Sequence, residues 1–167
     1  MSVRVPSLSV AIVLLAVVHP VNAADCTEPP APQVDWQRCS LDRRDLQGQK
    51  LAHAHLVDAS FERADLSHAD LSGVVATHGK FISAQMQKAQ LDGGNFAEAD
   101  FTKADLQGAS LRNADLRRAH FFRADLRGAD LSGARTTGAD MLNADLSGAL
   151  WTDGHRVCAP GSLGQCD

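Results

Sequence analysis

The 167-residue chain carries 16 basic and 20 acidic residues, a formal net charge of −4, and only 5% aromatic residues with no Tyr. Near-balanced charge and a shortage of aromatic rings exclude a stacking platform for single-stranded nucleic acid, so nucleic acid is not an expected partner. The length fits one small domain with processing and capping segments at its ends.

Residues 1–23 read as a secretion signal. Arg4 supplies a positive start, Leu8 to Val18 an apolar run, and Val21-Asn22-Ala23 a small-residue cleavage pattern, with cleavage expected after Ala23. The apolar run is too short for a membrane span, and Asp25-Cys26 lacks the small residues that precede a lipoprotein's acylated Cys. The mature chain is therefore expected to be exported, periplasmic or secreted, with a charge of about −5 once Arg4 is lost from the stated −4. Residues 24–33 form an N-terminal cap segment. Pro29, Pro30 and Pro32 disfavour regular pairing there and read as a stiff extended cover, a proline-rich ligand being the alternative.

From Trp36 to Trp151 every fifth residue falls on one rail. Of these 24 consecutive positions, 22 are Leu, Phe, Met or Trp, the exceptions being Ala76 and Thr136. Two residues before the rail, Ala recurs from Ala54 to Ala149, with Val74, Gly79 and Gly94 as departures. A period of five scatters residues around an α-helix and sends them to opposite faces of a straight strand. It keeps one inner face only if the chain turns a corner once per five residues. Gly108, Gly128 and Gly148 follow the rail by two residues and read as such corners, where positive φ or small size is needed.

A longer period gives the circuit. Phe61, Phe81, Phe101 and Phe121 are spaced by twenty, with Leu41 before and Met141 after. Four units per coil follow, with coils stacked like parallel strands about 4.8 Å apart. The expected fold is all-β, a solenoid of about six coils over residues 34–153, roughly 29 Å long at that spacing.

Units such as Ala64-Asp65-Leu66-Ser67-His68, Ala104-Asp105-Leu106-Gln107-Gly108 and Ala144-Asp145-Leu146-Ser147-Gly148 resemble the A(D/N)Lxx signature of pentapeptide-repeat proteins. The resemblance implies a right-handed, four-sided β-helix filled by the Leu/Phe and Ala rails, and implies no single activity. Irregular units fit this packing: Val74 precedes Ala76 and refills its gap, and Gly94 makes the opposite exchange before Phe96. Thr136 has only Ala134 beside it, so the weakest packing is expected there, or else a hydroxyl bonded to local backbone.

The cysteines lie only in the flanks. A bridge needs Cα atoms within about 7 Å, and the rod separates the ends by more than that, which pairs Cys26 with Cys39 and Cys158 with Cys166. The second bridge ties residues 154–167 into a C-terminal cap. Trp36 and Trp151, at the terminal rail positions, read as apolar lids.

Chemistry-bearing groups are sparse. The chain has no Gly-rich phosphate loop, nucleophile motif, HExxH or CxxC, and no cofactor or metal is expected. Asp45, Asp65, Asp105, Asp125 and Asp145 form a column of like charges, and Arg43, Arg63, Lys103 and Arg123 two residues earlier read as local compensation beside turn-forming bonds. Arg112, Arg117, Arg118, Arg123 and Arg127 make a basic belt spread over several faces. His53, His55, Asp58 and His78 lie close enough for a loose surface metal site, which together with an exported enzyme is a third reading.

The leading functional reading is an exported non-catalytic scaffold or protein interaction module. Its candidate partner-binding residues are Ile82, Thr102, Phe122 and Leu142, an outward apolar line over about 14 Å. The partner would be another exported protein or a second copy. The family resemblance also implies an alternative, a DNA mimic that protects gyrase from quinolones. With 16 acidic and 13 basic residues between Leu41 and Asp153, and an export signal, the sequence argues against it.

Overall fold

A computed structural model describes residues 24–167, and the leader expected at residues 1–23 lies outside them. Five residues make one unit because the chain bends after each large residue. The N–H of the small residue three positions on donates to the large residue's carbonyl, as from Ala54 to Leu51 at 3.0 Å and from Ala104 to Phe101 at 2.9 Å. The third residue of each bend has positive φ, 57° at Arg43 and 63° at Gly108, which defines a type II turn.

Glycine is not what these corners require. Between Arg38 and Gly148 it holds eight of them, and Arg, Lys, His, Asp, Glu, Asn or Ser holds the other fifteen. A left-handed residue with a side chain costs about 1–2 kcal/mol. Every corner from Arg38 to Gly133 offsets that with an N–H donated to the next coil, such as Arg43 to the Glu62 carbonyl at 2.9 Å.

Residues twenty apart pair side by side. Parallel bridges join Ser40 to Ser60, Ser60 to Lys80, and so on at every fifth position from Asp35 to Leu150. Around each bridge the Leu41 N–H donates to the Ser60 carbonyl at 2.7 Å, and the Ser60 N–H returns to the Cys39 carbonyl at 2.8 Å. Turns recur too often for longer strands to form, so the ladder is a series of single bridges. The product is a β-helix with a step of twenty residues. Residues twenty apart form columns along its axis, named here by a first-coil member.

The rails fill the interior. Phe61, Phe81, Phe101 and Phe121 of the Leu41 column are fully buried and stack with centroids 5.2, 4.9 and 5.0 Å apart. Burying each such side chain contributes roughly 1.5–3 kcal/mol. Phe96 comes from the neighbouring column and meets Phe81 and Phe101 at 5.9 and 5.6 Å with its ring tilted against theirs. Gly94 makes room for it, since a Cβ there would lie 2.4 Å from Phe96 Cε2. Val74 and Ala76 are both closed off, as their exchange of sizes anticipates. Thr136 and Ala139 are only half-buried, and the expected weak point does lie there. Among the described residues the Thr136 hydroxyl has no hydrogen-bond partner.

Both ends are capped. Cys26 is bonded to Cys39 and Cys158 to Cys166, with Cα separations of 5.4 and 4.8 Å. Trp36 is not a surface lid: it is 0% exposed, and its indole N–H has no acceptor among the described residues. The N-terminal segment lies over it, leaving that donor unpaired at a cost of about 1–3 kcal/mol. Trp151 is half-buried, closer to the expected role. At the C-terminal end, Asp145 pairs antiparallel with Leu163 and Leu150 with Val157, so the tail covers the Leu46 and Leu51 columns. No helix among the described residues is long and apolar enough to cross a membrane.

Candidate interaction surfaces

The positions just after the Leu41 rail face outward and run Asp42, Glu62, Ile82, Thr102, Phe122, Leu142. The column changes character along the axis. Asp42 accepts the Ser60 hydroxyl at 2.5 Å and the Glu62 N–H at 2.9 Å, giving a polar start. Ile82, Thr102 and Phe122 are half-buried between their neighbours, and Leu142 is 59% exposed. The Arg123 guanidinium lies 5.1 Å from the Phe122 ring centroid and covers part of it. The four candidates therefore share one line, with its apolar surface concentrated at the C-terminal end.

The acidic column before the Leu46 rail is built differently from the expectation. Its carboxylates cap the following turn: the Gln47, Ser67 and Ser147 N–H groups donate to Asp45, Asp65 and Asp145 at 3.1, 2.9 and 3.0 Å. The turn-forming bonds are present, but Arg43, Arg63, Lys103 and Arg123 make no ion pair with the acids two residues after them. The cap draws each carboxylate toward the residue two positions on, so arginine pairs from that side, Arg127 with Asp125 at 2.6 Å and Arg117 with Asp115 at 2.7 Å.

Ion pairs neutralise four of the five arginines of the basic belt, all but Arg123. Arg112 meets Asp92 at 2.7 Å, Arg118 meets Glu98 at 3.4 Å, and Arg123 lies on Phe122. The Arg117 hydrogen bonds hold the Asp115 carboxyl below its ordinary range against the opposing effect of burial. At Asp92 burial pushes the other way, and the bonds from Arg112 and Ser110 outweigh it.

One charge array escaped the sequence reading. The corners of the Leu56 column place Arg38, Asp58, His78, Glu98 and Arg118 in succession. Asp58 lies 4.0 Å from Arg38 and 3.4 Å from His78 Nδ1, and Glu98 lies 3.3 Å from His78 Nε2. The same twenty-residue spacing that gave the core, applied to the corners, would have found it. This ladder takes Asp58 and His78 out of the loose metal cluster. His53 instead lies over Gly73, where an added Cβ would be 2.5 Å from its Nδ1. Among the described residues no three His, Cys, Asp or Glu side chains are placed to hold a metal ion.

The second surface is a notch of about 380 Å³ at the C-terminal end, lined by Thr136, Ala139, Met141, Trp151, Gly164 and Cys166. Its floor is the unfinished end of the core.

Bridged coils, paired rails and outward columns together define a solenoid whose repeat is five residues long. The pentapeptide-repeat family model matches residues 34–75, 80–118 and 119–150, and the chain belongs to that family, whose fold is a right-handed β-helix. Among solved structures it is similar to HetL of the cyanobacterium Nostoc sp. strain PCC 7120, a protein involved in heterocyst differentiation regulation. Identity is 32% over 73% of this chain and 63% of HetL, with a TM-score of 0.46, so the chain spans less than two thirds of that protein. A pentapeptide repeat protein from the Arabidopsis thaliana thylakoid lumen is 23% identical over 73% of this chain and 83% of its own, with a TM-score of 0.33. The plasmid-mediated fluoroquinolone resistance protein QnrB1 is 22% identical over 70% of this chain and 65% of its own, also with a TM-score of 0.33. No curated protein matches the chain.

Proposed function

We propose that this protein is an exported, non-catalytic interaction module, a four-sided rod of about six coils released by removal of residues 1–23. Twenty-residue pairing with a turn every five residues supports the four-sided form. The leader-like pattern from Arg4 to Ala23 and the two disulfides support export. Residues 24–33 and 154–167 act as caps that keep the ends from pairing with other chains.

The observation that carries the interaction reading is the outward line of Ile82, Thr102, Phe122 and Leu142, ending in a Leu that is 59% exposed. An aligned apolar strip is less expected on a free surface than scattered residues. Its partner is another exported protein or a second copy. The gyrase-protecting reading gains no support from the charges, because acids are held in turn caps and arginine pairs.

The test is Phe122→Asp with Leu142→Asp, made in the mature chain. Loss of a sedimenting complex, or of a partner captured from the exported fraction, is expected. Unchanged sedimentation and capture would end the docking reading.

A further inference from the structure

We infer that the open side of the last coil, residues 136–143, receives an extended peptide of a partner protein by strand addition, with one apolar side chain entering the notch above Met141. The edge adjoins the Phe122 line, sharing Leu142 with it, but the inference rests on backbone groups and does not depend on that line.

The tail shows what an end coil needs. On the Leu46 and Leu51 columns it accepts the Leu146, Gly148 and Trp151 N–H groups through the Ser162, Cys158 and Arg156 carbonyls, at 2.9, 2.9 and 2.7 Å. It also donates the Gly164 and Cys158 N–H groups to the Ala144 and Ala149 carbonyls, at 2.9 and 2.8 Å. The equivalent groups on the other two columns are the N–H of Thr136, Gly138, Met141 and Asn143 and the carbonyls of Ala134 and Ala139. None has a backbone partner among the described residues. In every inner coil such groups are taken by the coil ahead.

The side chains agree with an unfinished edge. Residues 136–143 contain no Lys and no Pro, the usual blockers of edge pairing. Thr136, Ala139 and Trp151 are half-buried where their inner-coil counterparts are closed, and they open the notch of about 380 Å³.

Size selects the occupant. The edge turns at Gly138 and Asn143, so the face between them offers about five residues, at about 3.3 Å each and one strand spacing of about 4.8 Å wide, on the order of 80 Å². A stable second copy needs roughly 800 Å² per partner, and the raised tail keeps a flat rod end from approaching. A single strand fits. One residue donates its N–H to the Ala139 carbonyl and accepts from the Met141 N–H, its neighbour points into the notch, and the next carbonyl reaches Asn143 alongside Gly164, the tail residue that lies against Met141 and Asn143 and ends the strand there. Backbone bonds supply affinity and the notch supplies selection, as in other strand-addition sites.

The probe is a blocked decapeptide, Ala-Asp-Leu-Ser-Gly twice, the unit found at residues 144–148. Amide hydrogen exchange of residues 136–143 is followed by NMR in the disulfide-bonded mature chain. At millimolar peptide, at least tenfold slower exchange of the Met141 and Asn143 amides is expected. The N-methylated Asp peptide and the Leu-to-Asp peptide are expected to protect neither. Thr136→Leu, which fills the notch without removing a backbone group, is expected to stay folded and lose the protection. The inference fails if no protection develops, or if the control peptides protect equally. It also fails if the same amides are protected in concentrated protein alone as it sediments as a dimer, which would make a second copy the occupant.

Discussion

Replacing Gly94 by Ala tests the core at the point where two columns interlock. Gly94 is not in a positive-φ conformation, so the usual effect of the exchange is a gain of about 0.4–1 kcal/mol from a stiffer unfolded chain. Here the new Cβ would stand 2.4 Å from Phe96 Cε2, 3.1 Å from Cζ and 3.2 Å from the Leu91 carbonyl oxygen. The ring would have to retreat by about 1 Å to reach ordinary contact. Its way is closed by Phe81 and Phe101, whose centroids lie 5.9 and 5.6 Å off. Overpacking of this kind costs about 1–3 kcal/mol, for a net loss of about 1–2 kcal/mol. With a urea slope of about 2 kcal/mol per molar, the unfolding midpoint falls by roughly 0.5–1 M. In a Phe96→Leu background the ring edge is gone, and the same exchange is expected to be neutral or to raise the midpoint. Urea titrations followed by circular dichroism and tryptophan fluorescence measure all four proteins. A Gly94→Ala midpoint at or above the parent's, or the same shift in both backgrounds, would refute the interlock.

The remaining expectations concern the caps and the surface. Cys26→Ser with Cys39→Ser opens a 13-residue separation and lowers stability by about 3 kcal/mol, read by thermal unfolding; unchanged unfolding would show that the bridge holds nothing. Asp115→Asn keeps the turn cap, as Asn95 does for the Ala97 N–H at 3.1 Å, but loses the Arg117 pair. Because the folded Asp115 carboxyl lies below its ordinary 3.8, its contribution is complete above that value and disappears as pH falls through the lowered one. The stability gap between parent and variant should therefore be widest near neutrality and close on acidification below about pH 4; a gap that widens there would contradict the assignment. Glu98→Gln cuts the ladder between His78 and Arg118. With these side chains about half exposed, it should cost less than about 1 kcal/mol and less still in high salt, and a larger, salt-independent loss would mean that the ladder supports the fold.

What could be read from the sequence was whatever the five- and twenty-residue periods alone determine. The rails, the neighbouring exchanges at Val74 and Gly94, and the soft spot at Thr136 all follow from volume at a known position. The corners were only half legible. Their spacing was plain, but Arg118 or His53 in a left-handed conformation is acceptable only because the next coil takes its N–H, a bond between residues far apart in sequence. The Asp column shows the same limit. Spacing placed Arg43 and Arg127 equally far from their acids, and the carboxylate's own turn cap decides which side pairs. Trp36 looked like a lid because its rail position is terminal, and only the folded N-terminal segment puts it inside. The open edge at residues 136–143 could not be seen without knowing which columns the tail covers.

The ladder's step also determines how this molecule can change in length. Excision of residues 81–100 would join Lys80 to Phe101 and set Phe61 against Phe101 in the stack that Phe81 now occupies. Every column, turn and cap would keep its register, and the rod would shorten by about 4.8 Å. Excision of five residues, such as 96–100, would instead carry everything downstream into the neighbouring column, separating pairs made across the cut such as Asp92 with Arg112 and turning the tail-capped end by one face. Length in this protein is thus quantised: whole coils are exchangeable parts, and smaller indels act as rotations of one end against the other.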